Sequence, residues 1–362
     1  MPRPTRIRPG TRLVLVTAVV AVAAAAISPA LAQGAAAAPP GAHRAAPAEP
    51  VLRRVADIPL PGPAVRFDYQ SLDTTSDRLY ISHMDAGEML VFDVGARRVA
   101  ARVAGLPRVT GVLAVPELGK VYASVTGRDD VAVIDARSDR IIARLGRIGF
   151  PDGIAYAPRG KKIYVSDESG GGELVIDGEG DSVATRIPLG GEAGNTICDP
   201  GTGYILVAVQ TRNEIAAIDP VADKVLVRVA LPGASRPHGL AFDPARRLLF
   251  VANEEGGTVM TVDPHTMRVL DTQRVGKGPD VLAFDPGPRI LYVASESGVV
   301  CVFWEKEGGL VPLGRIRMPY AHTVAVDPRT PLVYFPLQNL HGRPVLRIME
   351  RRQSAHGAGA GH

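Results

Sequence analysis

Short apolar runs dominate the chain, and they come in a fixed order. "GLAFDPARRLLFVAN", beginning at Gly239, shows it: an apolar run closed by Asp-Pro, a polar turn, then a second apolar run. The residues alternate in character with period two and are rich in Val, Ile, Tyr and Phe, so each run reads as a short strand. No stretch after the first 32 residues shows competing helical periodicity.

The pattern recurs. "GVLAVPELGKVYASV" begins at Gly111, "GIAYAPRGKKIYVSD" at Gly153, "TICDPGTGYILVAVQ" at Thr196, "VLAFDPGPRILYVAS" at Val281 and "TVAVDPRTPLVYFPL" at Thr323. A looser copy, "YQSLDTTSDRLYISH", begins at Tyr69. Pro116, Pro158, Pro200, Pro244, Pro286 and Pro328 form one column, with steps of 42, 42, 44, 42 and 42 residues, and Thr74 fills it one step earlier. A second column, Asp93, Asp135, Asp177, Asp219 and Asp263, closes a third run in successive copies, and a fourth β-rich run follows each. Four short strands per repeat of about 40–45 residues predicts a β-propeller blade.

The sequence therefore predicts an all-β, seven-bladed propeller over residues 51–351, with four antiparallel strands per blade. The last copy supplies only three strands. The missing one is expected from "VLRRVADIPL" at Val51, which resembles "VLVRVALPG" at Val225, so the N-terminal strand should close the last blade and remove the free edges of the ring.

Residues outside the repeats carry a different message. Arg3, Arg6, Arg8 and Arg12 precede an apolar run, Leu13 to Ile27, and "SPALAQ" carries an A-x-A site. Residues 1–32 read as a signal peptide cleaved after Ala32, with an apolar part short for a membrane span. Residues 33–50 read as an Ala/Pro-rich linker and 352–362 as a disordered tail. A secreted, extracytoplasmic monomer without a transmembrane anchor is expected. Of 41 basic residues the leader carries four, leaving 37 against 37 acidic ones. No basic stripe of the kind nucleic acids require remains. Cys198 and Cys301 lie in different repeats and lack a CxxC motif, so two free thiols are expected over a disulfide.

"YVSD", "YVAS", "FVAN", "YISH" and "YASV" stand where the YVTN-repeat family carries Tyr-Val-Thr-Asn. With "PHGLAFDP", "PDGIAYAP" and "PDVLAFDP" before them, the chain resembles an exported, YncE-like seven-bladed propeller over Val51 to Arg351. The resemblance implies the fold and an extracytoplasmic setting, and it implies no activity. Similar repeats in streptogramin lyases and gluconolactonase-like metal enzymes supply an analogy only.

Chemistry is expected on one face. The Asp-Pro turns have a local reason to exist and read as structural. Six residues before the proline column stands the group that opens each innermost strand: Asp68, Thr110, Asp152, Gly194 with Asn195, His238, Asp280 and His322. These should face the mouth of the central channel. Arg66, Arg108 and Arg236 come two residues earlier, and the loop after the second strand adds His83, Asp167, Glu168, Asn253 and Glu296. The ligand-binding candidates are Asp68, His83, Arg108, Asp152, Asp167, Asn195, Arg236, His238, Asn253, Asp280 and His322. His238, Asp280 and His322 are candidate ligands for a divalent metal, and the two histidines are candidate catalytic bases. Binding of a small molecule or an extracellular protein or peptide is the expected function. The alternative is a metal-assisted lyase or lactonase-type hydrolase. No G-x-S-x-G, P-loop or CxxCH element points elsewhere.

Overall fold

The computed structural model describes residues 51–352 apart from 267. The stretches expected as signal peptide, linker and tail, residues 1–50 and those beyond Arg352, lie outside the described residues. Seven four-stranded sheets make up the described chain, with three single-turn 3-10 segments as the only helical pieces. No helix among these residues is long and apolar enough to cross a membrane.

Six blades follow the repeat in sequence. Their inner strands are Gln70–Asp73, Val109–Val115, Pro151–Ala157, Ala193–Cys198, Pro237–Asp243 and Pro279–Asp285. The seventh blade takes Ala325–Val326, Leu332–Leu340 and Arg343–Arg351 from the C-terminal end and Leu52–Pro59 from the N-terminal end. Leu52–Pro59 pairs antiparallel with Arg343–Arg351, as the sequence predicts. Arg347 clasps Asp57 with two bonds of 2.7 and 2.8 Å, and Arg53 pairs with Glu350.

Side chains of the second strands form much of the inter-blade core. Tyr80, Tyr122, Tyr164, Tyr292 and Tyr334 occupy one repeat position and are all fully buried. A cation opening the second strand reaches the next blade's outer turn: Arg78 to Asp139, Lys120 to Asp181 and Lys162 to Asp223, at 2.9, 2.7 and 2.6 Å. The Asp-Pro turns are held locally, as at Asp243, whose Oδ1 accepts from the Ala245 and Arg246 amides. His265 sits exposed in such a turn. Cys198 and Cys301 are both free.

One core position breaks the pattern. The second residue of the third strand is Met89, Val131, Ile215, Val259 and Val300 in blades one, two, four, five and six, each fully or almost fully buried. Blade three places Glu173 there, paired across to Ile187 and 1 % exposed. Neither of its carboxyl oxygens has a hydrogen-bond partner. Burial, with Asp167 nearby, raises its pKa well above the ordinary value, favouring its neutral form.

Candidate functional site

The inner strands meet the axis through a repeated irregularity. In blades two to six the register with the second strand slips after the first residue of the inner strand. The two residues inside each slip are 110–111, 152–153, 194–195, 238–239 and 280–281. An extra residue of this kind bends the strand and re-aims its side chains. Here it turns the first of the two toward the mouth.

Crowding at the axis dictates the second. A Cβ on Gly111 would lie 1.9 Å from the Asp152 carbonyl oxygen, and one on Gly239 would lie 1.8 Å from that of Asp280. The glycine after the ring position of these blades thus sits directly against the backbone of the next blade's ring residue. Gly194 makes room in the same way: a Cβ there would meet His238 Nδ1 at 2.9 Å.

Five ring residues come together. His322 Nε2 lies 3.0 Å from Asp68 Oδ1 and 2.9 Å from Asp280 Oδ2. His238 Nε2 lies 3.1 Å from Asp280 Oδ1 and 3.6 Å from Asp152 Oδ2. The Tyr69 hydroxyl completes the arc, 3.0 Å from Asp152 Oδ2 and 3.3 Å from His238 Nε2. Carboxylates and imidazoles therefore alternate: Asp68, His322, Asp280, His238, Asp152. All five side chains are at most 13 % exposed.

Their charges are mutually dependent. Burial disfavours both imidazolium ions, but Asp280 between them outweighs it, and both are pushed up to about 10. Asp280 is held well below the carboxylate range: burial opposes this, and His322 and His238 overcome it. Asp152 goes the other way, up to about 7, because burial, Asp68, Asp280 and Glu168 outweigh His238. Tyr69 is raised well above its ordinary value by burial and the surrounding aspartates.

A cavity of about 130 Å³ opens over the arc, walled by Tyr69, Thr110, Phe150, Glu168 and Glu254. A second hollow of about 240 Å³, bordered by Phe67, Tyr320, His322 and Gln338, adjoins it. Arg66 and Glu296 line both. Arg66 reaches inward, with Nη2 2.9 Å from His322 Nε2 and Nη1 3.0 Å from Glu296 Oε1.

The other candidates lie outside the arc. His83 is fully buried, stacks on Phe67 at 4.2 Å and meets the Pro63 carbonyl at 3.1 Å, fastening the segment that follows the closing strand. Burial lowers its pKa. Asp167 Oδ1 accepts from the Phe150 and Gly170 amides and shapes its own loop. Asn253 bonds to Thr258, and Asn195 Oδ1 accepts from the Thr196 amide. Arg236 pairs with Glu192 at 2.8 Å on the rim, and Arg108 is exposed. The Thr110 hydroxyl turns to the Pro151 carbonyl.

Tyr69 is the member of this arc that sequence reasoning passed over. Its column otherwise holds Gly111, Gly153, Asn195, Gly239, Val281 and Thr323. A phenol among residues kept small by crowding was the available signal.

No family model matches this chain, and no curated protein does. Among solved structures, a chain of Kuenenia stuttgartiensis hydrazine synthase superposes with a TM-score of 0.68 at 17% identity, covering 83% of this chain and 97% of that one. That likeness shows the fold.

Proposed function

We propose that this chain is an extracytoplasmic binding propeller of the YVTN-repeat, YncE-like kind, which takes a positively charged ligand at its axial mouth. The observation that carries this reading is the buried arc of three aspartates and two histidines beneath a small cavity. The repeat does not demand these groups, because the same column accepts Thr110 and Gly194. Even paired, buried ions often cost free energy relative to apolar packing, so five ionisable groups drawn to one point that the repeat does not require are better explained by a ligand than by the scaffold.

The sign of the ligand follows from the lining. Six carboxyl groups, those of Asp68, Asp152, Asp280, Glu168, Glu254 and Glu296, face the guanidinium of Arg66 and the imidazoles of His238 and His322. The leader-like N-terminus favours an exported setting, and the lyase or lactonase alternative has no observation of its own.

Thermal unfolding with polyamines, basic dipeptides and divalent cations tests the reading. At least one class should raise the melting temperature of the chain, and Asp152→Asn and Asp280→Asn should blunt the rise. No stabilisation by any of them, or equal stabilisation of both variants, would refute it.

A further inference from the structure

Asp280, Glu296 and His322 each offer a ligand atom within 4.8 Å of the other two. The Arg66 guanidinium is wedged among them. It lies 2.9 Å from His322 Nε2, 3.0 Å from Glu296 Oε1 and 4.0 Å from Asp280 Oδ2. Asp68 Oδ1 approaches the same imidazole nitrogen at 3.0 Å.

Hydrogen bonding alone cannot satisfy this group. If His322 Nε2 carries a proton, it donates to Asp68 or Asp280 but faces an Arg66 donor at 2.9 Å. If Nε2 is bare, it accepts from Arg66 but turns a lone pair on two carboxylate oxygens at 2.9 and 3.0 Å. A guanidinium is only ever a donor, so one close pair is unfavourable in either state. A small cation at the centre resolves it, because the imidazole lone pair and every carboxylate then point at positive charge. The separations of 2.9 and 3.0 Å from Nε2 to Asp280 and Asp68 match neighbouring ligand atoms around an ion bound at roughly 2.0–2.2 Å. Glu296, 46% exposed and nearest the ring's Nδ1 at 3.6 Å, would close in from solvent as the last donor.

Resting on the reading above, we propose that Asp280, Glu296 and His322, with Asp68 as a fourth donor, form a site for one divalent transition-metal ion, which Arg66 fills as an internal cation until the ion displaces it. One imidazole with several carboxylates suits Zn²⁺ or Mn²⁺ over Ca²⁺, which prefers oxygen alone. Arg66 has a route to solvent, with its side chain 39% exposed, so an entering ion can push it outward. His238 is a positioning residue: its ring lies 3.1 Å from the other oxygen of Asp280, where outer partners of ligating carboxylates sit.

Titrating the untagged chain with Zn²⁺, Mn²⁺ and Ca²⁺, by calorimetry and by Mn²⁺ electron paramagnetic resonance, tests this. The tail histidines His356 and His362 are replaced by Ala to remove a competing source of imidazole. One Zn²⁺ or Mn²⁺ per chain is expected, with Ca²⁺ weaker. His322→Gln and Asp280→Asn should each weaken binding by at least about 100-fold, and His238→Gln by about 10-fold. Arg66→Gln should tighten it. Each variant is checked for the parent's circular dichroism, and Arg66→Gln touches the fold least. Absence of a bound ion in both the parent and Arg66→Gln, or Zn²⁺ binding unchanged in His322→Gln, would overturn the proposal. If polyamines or basic dipeptides still stabilise the parent in that case, only the ion fails and the cation-binding mouth stands.

Discussion

The Tyr69 hydroxyl donates to Asp152 Oδ2 across 3.0 Å, joining the first blade to the third over the top of the second. The second blade contributes only Thr110 at this level, and its hydroxyl turns away to the Pro151 carbonyl. Tyr69→Phe removes one buried donor and leaves a carboxyl without it. A loss of about 1–2 kcal/mol is expected, measured by urea unfolding. A variant as stable as the parent would mean that the bond carries no weight.

The arc also sets a pH window. The two histidines have folded values of about 10 against an ordinary 6.5. Their stabilisation is fully present below 6.5 and is lost as pH rises toward 10. Asp152, raised from 3.8 to about 7, adds a term that is likewise lost on the way up. Asp280, depressed, contributes above 3.8 and fades as pH falls. Stability should therefore be greatest at about pH 4, fall first as Asp152 ionises and then further above about 6.5 as the histidines lose their protons, by a few kcal/mol or more by about pH 10. Melting temperatures across this range check it, and the double variant His238→Gln/His322→Gln should flatten the alkaline limb.

Glu173 offers a stabilising change. Its equivalents in blades two and four are Val131 and Ile215. Glu173→Ile replaces an unpartnered buried carboxyl with an apolar side chain at a position that holds such chains elsewhere. A gain of about 1–3 kcal/mol is expected. The raised carboxyl favours the folded state only while protonated, so the advantage of the variant should grow with pH. Denaturant unfolding at pH 5 and pH 9 reads both effects, and a destabilised variant would show that Glu173 has a partner.

The closing strand rests on the Asp57–Arg347 pair. Its two parallel bonds, chiefly the contact with Arg347, hold Asp57 below its ordinary pKa. Both side chains are partly screened from solvent, at 20% and 16% exposed. Asp57→Asn should cost about 1 kcal/mol, and the difference from the parent should shrink as pH falls below the carboxylate range. Equal losses at pH 3 and pH 7 would assign the effect to packing.

The blades were legible because each repeats the same alternation and turn residues, and the ring column because its place before the innermost strand puts it on the axis and it gathers acids and histidines there. The clasp was legible from the resemblance of Val51–Leu60 to Val225–Gly233. What the sequence concealed depends on three-dimensional coincidence. Arg66 and His322 are 256 residues apart, and nothing local announces their contact. His83 and Asn253 share a loop position, yet one is pinned beneath the N-terminal crossing and the other bonds within its own turn. Glu173 looks unremarkable in "GGGELVID" until its alternation phase places it in the core.

Asp68 belongs to the first blade and His322 to the last, so the contact between them spans the seam where the two ends of the chain meet. Forming that seam joins segments nearly the whole propeller apart in sequence, a slow event for a folding polypeptide. Until it forms, the mouth lacks one wall. An occupant bound across Asp68 and His322 would therefore stabilise the joined ring by mass action, acting as a rivet on the circle as well as a cargo within it. Resistance to proteolytic opening at the N-terminal strand would then rise with occupancy, so the state of the site could be read from the durability of the whole ring.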